Sequence, residues 1–387
     1  MRSMLSCNGR MELRRRRFEN PDGTSDAAVD DLIDLAGCGV SLATREMCCR
    51  VAVDSGSFAR AAANLERLAG LRLSDEKLRE VVECEGRAVL AWQDEGQLEL
   101  DFDAGRWMTD ATADRQAVSR AYVGIDGFLL PMVSDAEAAK RLEKARAHRK
   151  RLKRRRGVRR PKLKRRRGAD QRYKEMKLVT IYDQAKEHRL TRATRGGVDK
   201  AGRMLRQMRD DVRLRRADQV AAVTDGAEWI AGLVDRNLPR KTTVILDYYH
   251  ASQHVHQARR AVFGEGPQGQ AWADQVLERL SGKPFEQLWQ TLVETRSRFK
   301  ARGKRKALDE LMRYLSQRQE KVNYPAFRVA GLDVGSGPTE SMCKSLSRRM
   351  KGIGMRWTAR NAESMVALEA LHQSNLWSAY WSTRLAA

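Results

Sequence analysis

The stretch Ala121-Tyr122-Val123-Gly124-Ile125-Asp126-Gly127 decides the fold, because an apolar run rich in strand formers stops at an aspartate and a glycine. It reads as a buried strand that delivers a carboxylate at its C-terminal end. Two later stretches repeat the pattern. Val220-Ala221-Ala222-Val223-Thr224 ends in Asp225-Gly226, and Thr242-Thr243-Val244-Ile245-Leu246 ends in Asp247. Lys177-Leu178-Val179-Thr180-Ile181-Tyr182 is a further strand without such an ending. Helical patterns at 198–215 and 227–236 fill the gaps, so the chain predicts an α/β layer with part of its sheet parallel. In open sheets of that class, ligands gather at the C-terminal ends of strands.

One aspartate after a strand is commonly a turn-former. Three in one basic protein point to chemistry instead. Carboxylates are hard oxygen ligands for Mg²⁺, which keeps room for waters and phosphate oxygens. Two such ions about 4 Å apart serve both the attacking and the leaving oxygen of an in-line displacement. No G-x-x-x-x-G-K-[ST] loop accompanies the acids, which argues against a P-loop ATPase. A fourth acid heads a helix. In Gly335-Ser336-Gly337-Pro338-Thr339-Glu340, the Ser-Gly pair makes a turn, Pro338 suits the first helical position and Glu340 sits where the helix dipole favours its charge. That helix is expected to run on to Lys351, with Lys344, Arg348 and Lys351 along one face. A carboxylate at the head of a basic stripe suits a phosphate backbone.

The rest of the chain agrees with a polyanion partner. Its 387 residues carry 74 Lys and Arg against 50 Asp and Glu, a formal net charge of +24 that favours capture of nucleic acid. No apolar run approaches the roughly twenty residues of a membrane span. The six cysteines form no C-x-x-C pair and read as reduced thiols of a cytoplasmic protein. Residues 1–28 read as a basic, loose arm, and 29–115 as a helical domain for DNA binding or dimerisation. There, a helix through Ala61–Leu68 stops at Gly70, and Ser74 caps the next one. The pair invites a helix-turn-helix reading. Asp75, Glu76, Glu80, Glu83 and Glu85 on the second helix favour packing over base reading. A basic tract at 136–177, nearly solid Lys and Arg from Arg151 to Arg167, is the candidate for nonspecific DNA contact through Arg154, Arg155, Arg156, Arg165, Arg166 and Arg167. Residues 251–330 read as a helical insertion, and 373–387 as a C-terminal tail.

Four strings together resemble the DDE-type insertion-sequence transposases, closest to the ISKra type and related to Mutator-like transposases. They are IDG at 125–127, TDGAEWI at 224–230, ILDYYHASQHV at 245–255 and GSGPTESMCKSLSRRMKGIGMRW at 335–357. The resemblance covers about 120–370. It implies an RNase H-like mixed-sheet core, 116–250 and 331–372, in which Asp126, Asp225 and Glu340 hold two Mg²⁺ ions, with Mn²⁺ able to substitute. From the residues alone, Asp247 competes with Asp225 as second ligand. The resemblance favours Asp225 and gives Asp247 and His250 a supporting place as a D-x-x-H element, where a neutral imidazole can serve as ligand or general base. The expected DNA contacts then include Lys344, Arg348, Lys351, Arg356 and Trp357, the last by stacking on a base. The implied partner is double-stranded DNA, element ends and target alike, bound by a homodimer or larger assembly in a bacterial, nucleoid-associated setting. Rival classes are a nuclease with the same core and no strand transfer, and a non-catalytic nucleic-acid-binding protein.

Overall fold

The computed structural model describes residues 2–14, 16, 18–19, 21, 25–26, 39–96, 100, 103–109, 117–156, 172–352 and 355–386. The chain opens with an antiparallel hairpin, Arg2–Ser6 against Gly9–Leu13. The expected loose arm therefore begins as ordered structure, because Met4 and Leu5 are buried and Leu5 exchanges main-chain hydrogen bonds with Gly39 and Ser41. Three helices follow, α1 (Leu42–Asp54), α2 (Phe58–Ala69) and α3 (Asp75–Asp94). Each starts behind a serine whose hydroxyl accepts an amide from the first turn: Ser41 from Thr44, Ser57 from Arg60 and Ser74 from Lys77. Gly70 ends α2 at φ 67°, a left-handed conformation that glycine adopts without penalty.

The central sheet is built from β1 (Arg120–Val133), β2 (Arg172–Asp183), β3 (Arg189–Thr194), β4 (Gln219–Thr224) and β5 (Thr243–Leu246). Their order is β3-β2-β1-β4-β5, with β2 antiparallel to both neighbours and β1, β4 and β5 mutually parallel. Helix α4 (Asp135–Arg156) lies between β1 and β2, α5 (Val198–Asp211) between β3 and β4, and α6 (Glu228–Asn237) between β4 and β5. Side chains alternate between two cores, as a period of two demands. Val123, Ile125, Val220 and Ala222 face one; Tyr122, Ala221, Val223 and Ile245 face the other.

The second core is covered by the insertion, here α7 (Tyr248–Phe263), α8 (Pro267–Gly282), α9 (Phe285–Ser297), α10 (Arg302–Ser316) and the short α11 (Tyr324–Val329). Helix α12 (Gly337–Arg348) then returns to the sheet. A two-residue strand, β6 (Trp357–Thr358), pairs in parallel with Met132 and Val133 at the far end of β1. Helices α13 (Ala359–Gln373) and α14 (Trp377–Ala386) close the first core together with α1 to α3. Where α3 crosses α13, a Cβ on Gly86 would lie 2.4 Å from the Ser364 carbonyl oxygen. The acidic helix α3 is thus a packing element, with Leu78, Val81, Val82 and Val89 buried. The segment expected as a tail carries α14, whose Trp377, Tyr380 and Trp381 are buried.

This is a mixed α/β protein with a central mixed sheet of parallel and antiparallel strands, a helical insertion and a mainly helical N-terminal region. Three expectations about elements change. Strand β1 runs through Asp126 to Val133, because β2 and β6 continue to pair with it after β4 has ended. Of the basic tract, Asp135–Arg156 is helical, 157–171 lie outside the described residues, and 172–176 already belong to β2. Helix α12 ends at Arg348, short of Lys351. Among the described residues, no helix is long and apolar enough to cross a membrane.

Candidate functional site

Register brings the three aspartates together. Ile125 pairs with Thr224, and Thr224 with Leu246, so the next residue on each parallel strand is Asp126, Asp225 or Asp247. Three residues that are distant in the chain therefore line up along one edge. Asp225 accepts the Ala227 amide at 2.9 Å, a short turn that starts α6. Gly226 takes φ 80°, and a Cβ there would lie 2.7 Å from Leu246 Cδ1, so the Asp-Gly step requires glycine twice over. Asp247, only 3% exposed, caps α7 by accepting the Tyr249 amide at 2.8 Å and also accepts the Ser336 hydroxyl. It thereby ties the start of α7 to the loop that leads into Glu340. The Tyr248 amide adds a bond to the Val334 carbonyl at 3.0 Å.

Helix α12 docks on the same edge. Its Thr339 packs so tightly over Gly124 that a Cβ there would sit 1.8 Å from the threonine hydroxyl. Cys343, one turn beyond Glu340, donates its thiol to Asp126 Oδ2 at 3.2 Å, while Asp126 Oδ1 accepts the Gly127 amide at 2.6 Å. Burial pushes the Asp126 carboxyl above its ordinary range, and the Asp225 charge adds to that rise; the Cys343 thiol, the Gly127 amide and His250 oppose it. Burial, followed by the Asp126 charge, likewise raises the Cys343 thiol, so it serves as a neutral donor. His254 stacks on Tyr314 at 3.7 Å between ring centroids, and burial lowers its pKa, with Arg318 and His250 adding to the effect.

Glu340 lies on the exposed side, 61% accessible, and pairs with Lys344 at 2.9 Å. Among the described residues, no three of Asp126, Asp225, Asp247, His250 and Glu340 bring ligand atoms within 4.8 Å of one another. An exposed pair at i, i+4 is worth only about 0.3–0.5 kcal/mol, a small hold against a divalent cation at the neighbouring acids. The donors that Asp126, Asp225 and Glu340 offer are all carboxylate oxygens, the kind a hard divalent cation takes, and burial, with the Asp225 charge adding to it, disfavours ionisation of Asp126 until a cation offsets it. One group does have its ligand atoms that close, namely Asp183, Glu187 and His188. It sits at the turn between β2 and β3, where Asp183 pairs with Ala121, five residues before Asp126 along β1. Hydrogen bonds from the His188 amide (3.0 Å) and between Nδ1 and Asp183 Oδ2 (3.2 Å) account for much of that closeness.

The expected DNA contacts divide. Arg348, Lys351 and Arg356 are exposed, as is Arg154 near the end of α4. Arg155 and Arg156 close α4, and Arg165, Arg166 and Arg167 lie outside the described residues. Trp357 corrects the stacking expectation. It is 5% exposed, lies against Phe58 and the Arg349 guanidinium, and donates Nε1–H to the Met350 carbonyl at 3.0 Å. Its indole belongs to the core because β6 draws it onto the edge of β1. Trp229 is half-buried, with Lys177 Nζ 5.1 Å from its ring centre. Sequence reading missed Ser336, Thr339, Cys343 and Arg318. Only Cys343 carried a signal, since i+3 from Glu340 puts it on the same helix face.

No family model and no curated protein matches this sequence. Among solved structures, the Drosophila P element transposase strand transfer complex aligns with 88% of this chain and 80% of its own, at 10% identity and a TM-score of 0.26. A likeness of that size assigns neither activity nor partner to this chain.

Proposed function

We propose that this chain is an insertion-sequence transposase that cuts and joins phosphodiester bonds of double-stranded DNA. The observation that carries the reading is the register that sets Asp126, Asp225 and Asp247 side by side, with the helix of Glu340 docked at Asp126 through Cys343. In this reading Asp126, Asp225 and Glu340 hold two Mg²⁺ ions, or Mn²⁺ in their place. When bound, such ions supply activation of the attacking oxygen and charge stabilisation at the leaving one. The protein's own groups do the rest. Asp247 keeps α7 and the 334–336 loop in place, so that Glu340 enters from a fixed helix start. Cys343 orients Asp126 without adding charge. His250, half-buried beside Asp126, accepts or returns a proton at the attacking oxygen. The exposed cations Arg154, Arg348, Lys351 and Arg356 bind phosphates along the duplex. Two element ends must meet, so the working form is a dimer or larger.

The test is a reaction of purified protein with labelled DNA carrying the element's terminal sequences, a target plasmid and Mg²⁺ or Mn²⁺. Metal-dependent nicking with joined products on a sequencing gel is expected. Hydrolysis without joining would make the protein a nuclease, and DNA binding without cleavage in either metal would leave it a binding protein.

A further inference from the structure

We propose that Arg318, supplied by the helical insertion, is a phosphate-binding residue of the active site, gripping a non-bridging oxygen of the DNA strand held at Asp126 and Asp225. The inference rests on the phosphodiester reading and adds a residue outside all four of its motifs. Arg318 follows the end of α10 and enters a 3-10 turn, Gln319–Val322. Three main-chain hydrogen bonds hold its backbone there: its amide to Leu315, and its carbonyl to the amides of Lys321 and Val322. From that anchor the guanidinium reaches the residue next to Asp225. Nη2 donates to the Gly226 carbonyl at 3.3 Å, and Nε lies 3.2 Å from where a Gly226 Cβ would stand. Nη1 donates to the Tyr314 carbonyl at 3.2 Å, and the guanidinium carbon lies 4.2 Å from the centre of the Tyr314 ring. That ring is backed in turn by His254.

The charge pattern is what calls for a ligand. A guanidinium beside a row of carboxylates normally pairs with one of them. Among the described residues, Arg318 makes no ion pair within 4.0 Å, and its hydrogen bonds go to two carbonyls. Two of its five N–H groups are thereby used, and three remain for an anion. The side chain is half-buried, so it is reachable yet partly shielded from water. Stacking on Tyr314 and the two carbonyl bonds fix its orientation before any substrate arrives, which is the condition for stabilising charge at low reorganisation cost. The insertion then acquires a chemical role beyond covering the second core: it delivers a cation to the β4–β5 edge.

The experiment compares wild type, Arg318→Ala, Arg318→Lys and Asp225→Asn on end-bearing DNA in Mg²⁺, reading single-turnover cleavage, DNA binding and melting temperature. Arg318→Ala is expected to slow cleavage by about 10²–10³ with end binding changed less than threefold. Arg318→Lys is expected to fall between the two, since a point charge replaces the planar fork. Methylguanidinium should restore part of the Arg318→Ala rate with no change in melting temperature, and Rp and Sp phosphorothioates at the scissile position should lose their difference in that variant. Cleavage by Arg318→Ala within threefold of wild type overturns the proposal. So does a rate loss that tracks the melting temperature, resists methylguanidinium and leaves the phosphorothioate difference intact. If wild type cleaves no better than Asp225→Asn, the phosphodiester reading falls and takes this inference with it; if wild type cleaves and Asp225→Asn does not, Arg318 alone is at stake.

Discussion

Asp126 is pulled in opposite directions by its surroundings. Burial and the neighbouring Asp225 charge favour its neutral form, while the Cys343 thiol, the Gly127 amide and His250 favour the carboxylate. Such a group is suited to a bound cation, which would supply the missing compensation. Substituting Asp126 or Asp225 by Asn, or Glu340 by Gln, is expected to lower metal-dependent cleavage by about 10²–10³ or more while end binding in a gel-shift assay stays near wild type. Normal cleavage by Asp225→Ala would move the second ligand to Asp247. Asp211 offers a cleaner pH test, away from that edge. Burial raises its carboxyl to about 6, against the opposing pull of Arg192. A raised folded-state pKa means that the stability tied to protonated Asp211 is complete below about pH 4 and lost as pH climbs through 6. Asp211→Asn should therefore raise the denaturation midpoint at pH 8 and leave it nearly unchanged near pH 4, as measured by urea titration at both pH values.

At the scale of elements, two glycines set distances that no other residue allows. Gly124 lets α12 descend onto β1 until Thr339 meets the strand, which positions both Glu340 and Cys343. A methyl group there must push the helix away. Gly124→Ala is expected to cost about 1–3 kcal/mol in chemical denaturation and to depress cleavage more than that loss of stability explains. Gly86→Ala, at the crossing of α3 and α13, should cost a similar amount without a specific effect on the chemistry. Helix α4 begins with a reciprocal cap. The Ser134 amide donates to Glu137 Oε2 at 2.6 Å, and the Glu137 amide donates to Ser134 Oγ at 3.2 Å. The hydrogen bonds that Ser134 gives the carboxylate, with Lys174 Nζ 3.3 Å away, hold the Glu137 carboxyl down at about 2. A local sequence signal, Ser-x-x-Glu, thus starts the basic helix at a defined residue.

At the scale of the whole molecule, the basic stripe of α4 and the acidic edge belong to different elements. Exposed arginines and lysines run along α4, whereas the aspartates converge where β4 and β5 end. Binding and chemistry should then separate under salt. Replacing Arg149, Arg151 and Arg154 by Gln is expected to reduce the slope of log affinity against log salt by about 2 to 3, equally for end and unrelated DNA. Single-turnover cleavage at saturating protein should change little. An unchanged slope in filter binding across 50–200 mM salt would remove α4 from the DNA interface.

Local chemistry alone determined a good deal of this protein. The apolar runs before Asp126, Asp225 and Asp247 announced strands, Ser74 and Gly70 announced helix ends, and Pro338 announced the start of the Glu340 helix. Each of those signals lies within a few residues, where sterics and capping act. What the tertiary structure decided depends on partners far along the chain. Strand β1 outlasts Asp126 because β2 and β6 pair with its second half. The acidic helix α3 packs because Gly86 meets Ser364, and Trp357 is core because β6 lays it against Phe58 and Arg349. The side-by-side register of three aspartates, the thiol on Asp126 and the arginine beside Asp225 arise only when the sheet closes and α12 and the insertion dock on its edge. Residue spacing encodes helices and strands, whereas long-range packing decides which of their side chains meet.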